Sequence, residues 1–311
     1  MENSTENKKD LKNFDIYRFA VTKKDGQTKK VVEPSTLATV LHDPIQLEGD
    51  GKDANRYPPF HYVCRGEIWA GEPEKKHPRK LQNQDYTKRQ EDDFQSGWVV
   101  LDARHGLMAI QRCQAFDYNT LSMARLLRAT LHKRLAPLKY NIEMTLIKEE
   151  GDFTEKLRHL TADRGVGIKS VRFDTALLLA DKSQLGANAL WIEALAELND
   201  EENETSFDVK RKYGQQYDNL DQLHPTVRML LKYCAKHATG AVAVQLTDGY
   251  GSLRPDDTLY FSARMNLSNV ETFANDGDLS DMPRDDEPGY LLVRWLDHLY
   301  DQSKLLPDVQ L

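Results

Sequence analysis

Two apolar runs, 98–103 (WVVLDA) and 107–112 (LMAIQR), are separated only by Arg104-His105-Gly106, and they constrain this chain more than any other stretch of it. Apolar and β-branched residues on both sides of so short a break predict paired antiparallel strands, with Gly106 free to adopt the turn conformation that larger residues resist. A sheet is therefore expected. Other segments supply it. Residues 14–21 alternate in hydrophobicity, and Asp25-Gly26 favours a tight turn that sends the chain back through 29–32. Residues 60–70 (FHYVCRGEIWA) read as one strand with a bulge at Gly66, 140–147 (YNIEMTLI) as an alternating strand, and 167–173 (GIKSVRF) as another. Near the end, 241–247 and 258–264 read as antiparallel strands joined by the turn-rich DGYGSLRPDD.

Helical spacing falls between these strands. Ser35 can cap a short helix over 36–42, which Pro44 ends. Asn119 or Thr120 can cap a longer one over 121–135, where Ala124, Leu127, Leu131 and Leu135 recur at steps of three and four and Pro137 follows. Asp152 with Glu155 resembles a capping box ahead of Phe153, Leu157 and Leu160. Residues 187–198 and 288–300 also read as helices, as does a segment opened by Pro225, in which Val227, Leu230, Leu231 and Cys234 recur at helical spacing, and closed by Gly240. The fold class is α+β, with mixed or antiparallel sheets, hairpins and packed helices. The expected organisation is a disordered tail over 1–13 and two closely associated halves, 14–180 and 181–311. Within the first half, 71–97 carries six basic and six acidic residues with almost nothing apolar, which predicts a solvated or disordered insertion.

Charge is distributed unevenly. The chain as a whole has 42 Lys and Arg against 49 Asp and Glu, a net charge of −7. Residues 121–172 hold eleven basic against six acidic side chains, whereas 271–290 hold seven acidic ones against Arg284 alone. Nucleic-acid contact needs a local cationic surface and not a positive total. The candidate surface is Arg125, Arg128, His132, Lys133 and Arg134, joined by Lys156, Arg158, Lys169 and Arg172. Part of that helical stripe has a structural reason too, since cations near a helix end offset its dipole. No helix-turn-helix, RRM or zinc-finger signature accompanies it, so contact would be with the phosphate backbone and sensitive to salt. In 288–300, Leu292, Trp295, Leu296 and Leu299 share one face and predict a docking or oligomerisation surface.

Chemistry leaves fewer marks. Cys64, Cys113 and Cys234 are too few and too far apart for a disulfide framework, which implies a reducing compartment. No apolar run approaches the ~20 residues that span a bilayer, and the first residues are polar, so a cytoplasmic protein with no membrane partner is expected. His61 and Cys64 lie three apart, on opposite faces of a strand, and no metal site is predicted there. Asp248-Gly-Tyr-Gly-Ser252 lacks the Lys-Ser/Thr and the helix of a phosphate-binding loop. No zinc pairing of histidines, serine-elbow motif or cofactor signature is present, and no cofactor is expected. A metal-dependent nuclease would draw on Glu149, Asp152, Glu155 and Lys156, although acids at a helix start are stabilised in any case.

Three segments resemble the loose group of bacterial phage-exclusion and accessory-genome proteins typified by RexA: FDIYRFAVTKKDGQTKKV, GLMAIQRCQAFDYNTLSMARLLRATL, and the pair YNIEMTLIK and GIKSVRFD. The resemblance covers about half of the chain and transfers no catalytic residue. It implies DNA binding, dimerisation and an antiphage role. The combined expectation is a defence or exclusion component that self-associates and binds nucleic acid without sequence specificity. The alternatives are an unrecognised metal-dependent nuclease and a non-catalytic interaction subunit of a defence complex.

Overall fold

The computed structural model describes residues 10–25, 28–31, 35–47, 57–82, 88–149, 151–174, 178, 192–193, 206–211, 215–237, 241–275 and 282–304. Contacts divide the chain into an outer unit, Met1–Ile147 with Tyr260–Leu311, and an inserted unit, Lys148–Leu259. The expected division between 180 and 181 is thus replaced by one unit nested within the other. Hydrogen bonds explain how the outer unit tolerates the interruption. Phe261 N–H donates to Ile147 O (2.7 Å), Ile147 N–H to Ile16 O (3.2 Å) and Ile16 N–H to Phe261 O (3.0 Å), so its two broken ends meet beside one strand.

That strand is β1 (Leu11–Asp25), followed by β2 (Thr28–Val31), helix α1 (Ser35–Leu41), β3 (Tyr62–Arg65) and β4 (Ile68–Gly71). Next come β5 (Glu74–Gln82), β6 (Lys88–Ser96), β7 (Val99–Asp102), β8 (Leu107–Gln111), helix α2 (Thr120–Leu135) and β9 (Tyr140–Leu146). The inserted unit contributes helix α3 (Phe153–Arg158), β10 (Ile168–Asp174), β11 (Ser206–Lys210), helix α4 (Pro225–His237), β12 (Val242–Leu246) and β13 (Ser252–Leu253). The chain then returns to the outer unit through β14 (Ser262–Asn266), helix α5 (Leu267–Asn275) and helix α6 (Tyr290–Lys304). The fold is α+β and its strand pairs are antiparallel.

In the outer unit the sheet runs β14-β1-β8-β7-β4-β3, with β2 and β9 also pairing β1. Both faces are covered. Tyr17, Phe19, Leu101, Met108 and Ile110 pack with Met123, Leu127 and Leu131 of α2 on one side. Phe14, Ile16, Val100, Leu107 and Ala109 pack with Val270, Phe273, Leu292 and Leu296 on the other. A strand buried on two faces needs apolar residues at every position, which is why 98–112 reads as continuous runs and not as alternation. The hairpin turns as expected at Gly106, with φ of 62°; an added Cβ would lie 2.8 Å from Phe19 O.

Several expectations change. Residues 60–70 form the hairpin β3–β4 and not one bulged strand: Arg65 pairs with Ile68, and Gly66, at φ 57°, stands in the two-residue turn. Within the charged stretch 71–97, expected to be a solvated or disordered insertion, residues 74–82 and 88–96 form a two-stranded ribbon paired from Glu74↔Ser96 to Gln82↔Lys88; residues 83–87 lie outside the described ones. The ribbon's register sets Arg79 opposite Glu91 and His77 opposite Asp93. Leu11, Lys12 and Asn13, expected in a tail, pair with Asn266, Met265 and Arg264; residues 1–9 lie outside the described ones. Residues 241–247 and 258–264 do not pair with each other. β12 joins β10 and β13 of the inserted unit, while β14 joins β1 of the outer one. All but Ile192 and Glu193 of the expected helix 187–198, and all of the acidic stretch 199–205, lie outside the described residues.

Candidate nucleic-acid interface

The α2 helix forms where its spacing predicted. Asn119 Oδ1 accepts from Ser122 N–H at 3.3 Å, and Met123, Ala124, Leu127, Leu131 and Leu135 fill the buried stripe. A buried polar chain ties its first turn to the sheet: Tyr17 OH donates to Thr120 Oγ1 at 2.9 Å, and Thr120 Oγ1 donates to Asp15 Oδ2. Arg112 Nη2 lies 3.3 Å from the same oxygen. Burial pushes the Tyr17 hydroxyl well above the ordinary phenol range, so it stays a donor. One helix face is thereby locked, and the opposite one must point outward.

Arg125, Arg128 and His132 occupy that outward stripe at steps of three and four, and all three are exposed. Helix α2 contains no acidic residue, and among the described residues none pairs with Arg125 or Arg128. Lys133 is also exposed. Arg134 belongs elsewhere. Its Nη1 donates to Val40 O at 3.0 Å and its Nη2 to Pro44 O at 2.7 Å, so it braces the last turn of α1 and the backbone that follows, and leaves the candidate surface.

The remaining predicted cations sit in the inserted unit and divide three ways. Arg172 is bound to Asp208, Nε to Oδ1 at 2.8 Å, and that bond holds the Asp208 carboxyl below the usual carboxylate range. Lys169 is exposed on β10, beside the register shift between Ile168 and Ser170. Lys156 is half-buried on α3, while Arg158 is exposed and lines a groove with Lys232 of α4. Sequence reasoning missed Lys232 and Lys236, yet a signal existed: Arg228, Lys232 and Lys236 recur every fourth residue along 225–237.

Chemistry-bearing clusters are largely absorbed by structure. Asp152 Oδ1 accepts from Thr154 and Glu155 N–H, and Glu155 Oε2 accepts from Asp152 N–H, completing the expected capping box. Glu149 bonds His159 Nδ1 and lies 3.3 Å from Arg164 Nη2, beside a single π-helical turn at His159–Asp163. The acids of the nuclease alternative are therefore committed to a cap and an ion pair. A second cluster, Asp102, His105 and Asp297, could in principle hold a metal. Arg104 already places a positive charge there, bonding Asp102 through Nε (2.9 Å) and Nη2 (2.7 Å) and approaching Asp297 at 3.1 Å. Burial alone would lower the Arg104 affinity for its proton, but the bonds to both aspartates outweigh it and raise it. Burial pushes the Cys64 and Cys113 thiols up, away from the reactive thiolate.

The expected oligomerisation face is a correction. Leu292, Leu296 and Leu299 of α6 are 0%, 0% and 2% exposed and pack on Phe14, Ile16 and Phe273 of the same chain. Trp295 Nε1–H donates to Arg264 O at 3.0 Å. An apolar helical stripe records only that something covers it, and here the chain's own sheet does. Among the described residues, no helix is long and apolar enough to cross a membrane. In comparisons with known proteins, no family model matches the chain and no curated protein matches it.

Proposed function

We propose that this protein binds nucleic acid through the sugar-phosphate backbone, using the outward stripe of α2. The observation that carries the reading is the exposure of Arg125, Arg128 and His132 on one face of a helix that has no acidic residue. Arginines that pair with no carboxylate among the described residues need break no such ion pair before meeting phosphate, and their planar donors suit its oxygens. Nothing in the stripe reads base edges through a recognised motif, so binding is independent of sequence. Its use in phage exclusion, within a self-associating or multi-protein defence complex, is part of the proposal and is supported by the resemblance to RexA-like proteins. Self-association would use a surface other than the buried face of α6.

The test is binding of random-sequence duplex DNA by fluorescence anisotropy across a salt series. Each phosphate neutralised contributes about −0.9 to the slope of log K against log salt, so Arg125→Glu/Arg128→Glu should flatten the slope by about 1.8. Between 50 and 200 mM salt, those two contacts correspond to about a twelvefold loss of wild-type affinity. A double variant that retains the wild-type slope and affinity would refute the assignment.

A further inference from the structure

We propose that the groove between α3 and α4 of the inserted unit binds a phosphomonoester carried on a flat apolar body, as in a 5′-mononucleotide. The site is concave, with a cavity of about 330 Å³ walled by Leu220, Pro225, Met229 and Leu231. A second hollow of about 650 Å³ adjoins it, shares Thr154, Arg158 and Lys232, and extends to Lys236. Small-molecule sites commonly combine such an apolar wall with a few converging polar groups.

Charge accounting within the groove selects the ligand. Asp221 Oδ1 accepts from Arg228 Nη1 at 2.9 Å, Asp152 is held by the first amides of α3, and Glu155 by the Asp152 amide. The acids are thus engaged with groups of the unit itself. Among the described residues, no carboxylate pairs with Arg158, Lys232 or Lys236, and all three are exposed. A phosphomonoester carries about −1.5 to −2 charges at neutral pH, which matches cations brought together from two helices. Arg158 supplies a planar donor fork and Lys232 a point charge. At the other end, Met229 is 37% exposed beside Leu220 and Pro225, leaving apolar surface with an adaptable side chain for a ring to cover. Inorganic phosphate would use only the charged end, and an unphosphorylated nucleoside only the apolar one.

The same chemistry occurs in a free nucleotide and in the 5′-phosphorylated end of a strand, and the experiment separates these sources. The full chain is titrated calorimetrically with adenosine 5′-monophosphate, adenosine and inorganic phosphate. It is then titrated with a short single-stranded oligonucleotide bearing either a 5′-phosphate or a 5′-hydroxyl. The monophosphate should bind about tenfold or more tighter than adenosine or phosphate, and Arg158→Ala or Lys232→Ala should each remove about tenfold of that affinity. Met229→Glu should weaken the monophosphate and adenosine alike. Because Arg158 and Lys232 are exposed, these variants are expected to fold, which an unchanged unfolding midpoint confirms. Preference for the phosphorylated oligonucleotide supports the strand end as source, and its absence supports the free nucleotide. Equal binding of monophosphate and adenosine, no monophosphate binding, or indifference to both charge variants would overturn the proposal. Arg125→Glu/Arg128→Glu should bind the monophosphate as wild type does, so failure of the duplex-binding reading is distinguishable from failure here.

Discussion

Replacing Leu296 by alanine separates a core helix from an adhesive one. Leu296 is fully buried, as are Leu292 beside it and Phe14 and Phe273 across from it. Removing a leucine side chain from such a site costs about 2–5 kcal/mol, the lost transfer energy plus the cavity left behind. Both faces of this sheet are packed, so little collapse is available and the upper half of that range applies. The outer unit has about 200 residues, for which each kcal/mol moves the melting temperature by about 2–4 °C. A loss of about 3.5–5 kcal/mol should therefore lower Tm by about 7–20 °C. Urea denaturation followed by tryptophan fluorescence measures the first quantity, and light scattering after size exclusion measures molecular mass. The expected outcome is a destabilised protein of unchanged mass at a given concentration. Wild-type stability with a reduced mass would mean that α6 meets a second copy, and the packing described above would be wrong.

Arg134→Ala removes the two donors held by Val40 O and Pro44 O. It should cost about 1–3 kcal/mol in denaturation while leaving the salt dependence of DNA binding unchanged, the reverse of the Arg125 and Arg128 pattern. The Arg172–Asp208 pair gives a pH test. Since the folded carboxyl titrates below its unfolded range, its contribution is present above about pH 4 and is lost as pH falls through the folded value. For so exposed a pair the contribution is about 0.2–1 kcal/mol. The stability gap between wild type and Asp208→Asn should shrink in urea titrations as the pH falls from 6 towards 2; a gap that widens with acid would contradict the assignment.

Local features were legible because their causes lie within a few residues. The α2 and α4 helices, the Asp152–Glu155 capping box and the turn at Gly106 each follow from side chains that act on their own neighbourhood. The stripe Arg125, Arg128 and His132 was readable for the same reason, since helical periodicity alone sets residues three and four apart on one face. Where sequence reasoning failed, the deciding partner lay far along the chain. Residues 60–70 look like one strand until β4 pairs with β7 and β3 folds back on β4. Arg134 looks like its basic neighbours until its guanidinium meets Val40 and Pro44, and Arg172 until it meets Asp208.

Short-range patterns in the chain were enough to specify apolar runs that require buried strands, amphipathic helices with their caps, and an uneven distribution of charge. What each exposed-looking group does came instead from the long-range packing of the chain. That packing inserted one unit at a point where Ile147 and Phe261 meet beside Ile16, covered the α6 stripe with the chain's own sheet, and lined one groove with both Arg158 and Lys232. The physical reason is that hydrophobicity and charge specify that a partner is needed, whereas identity of the partner depends on contacts between residues tens to hundreds of positions apart.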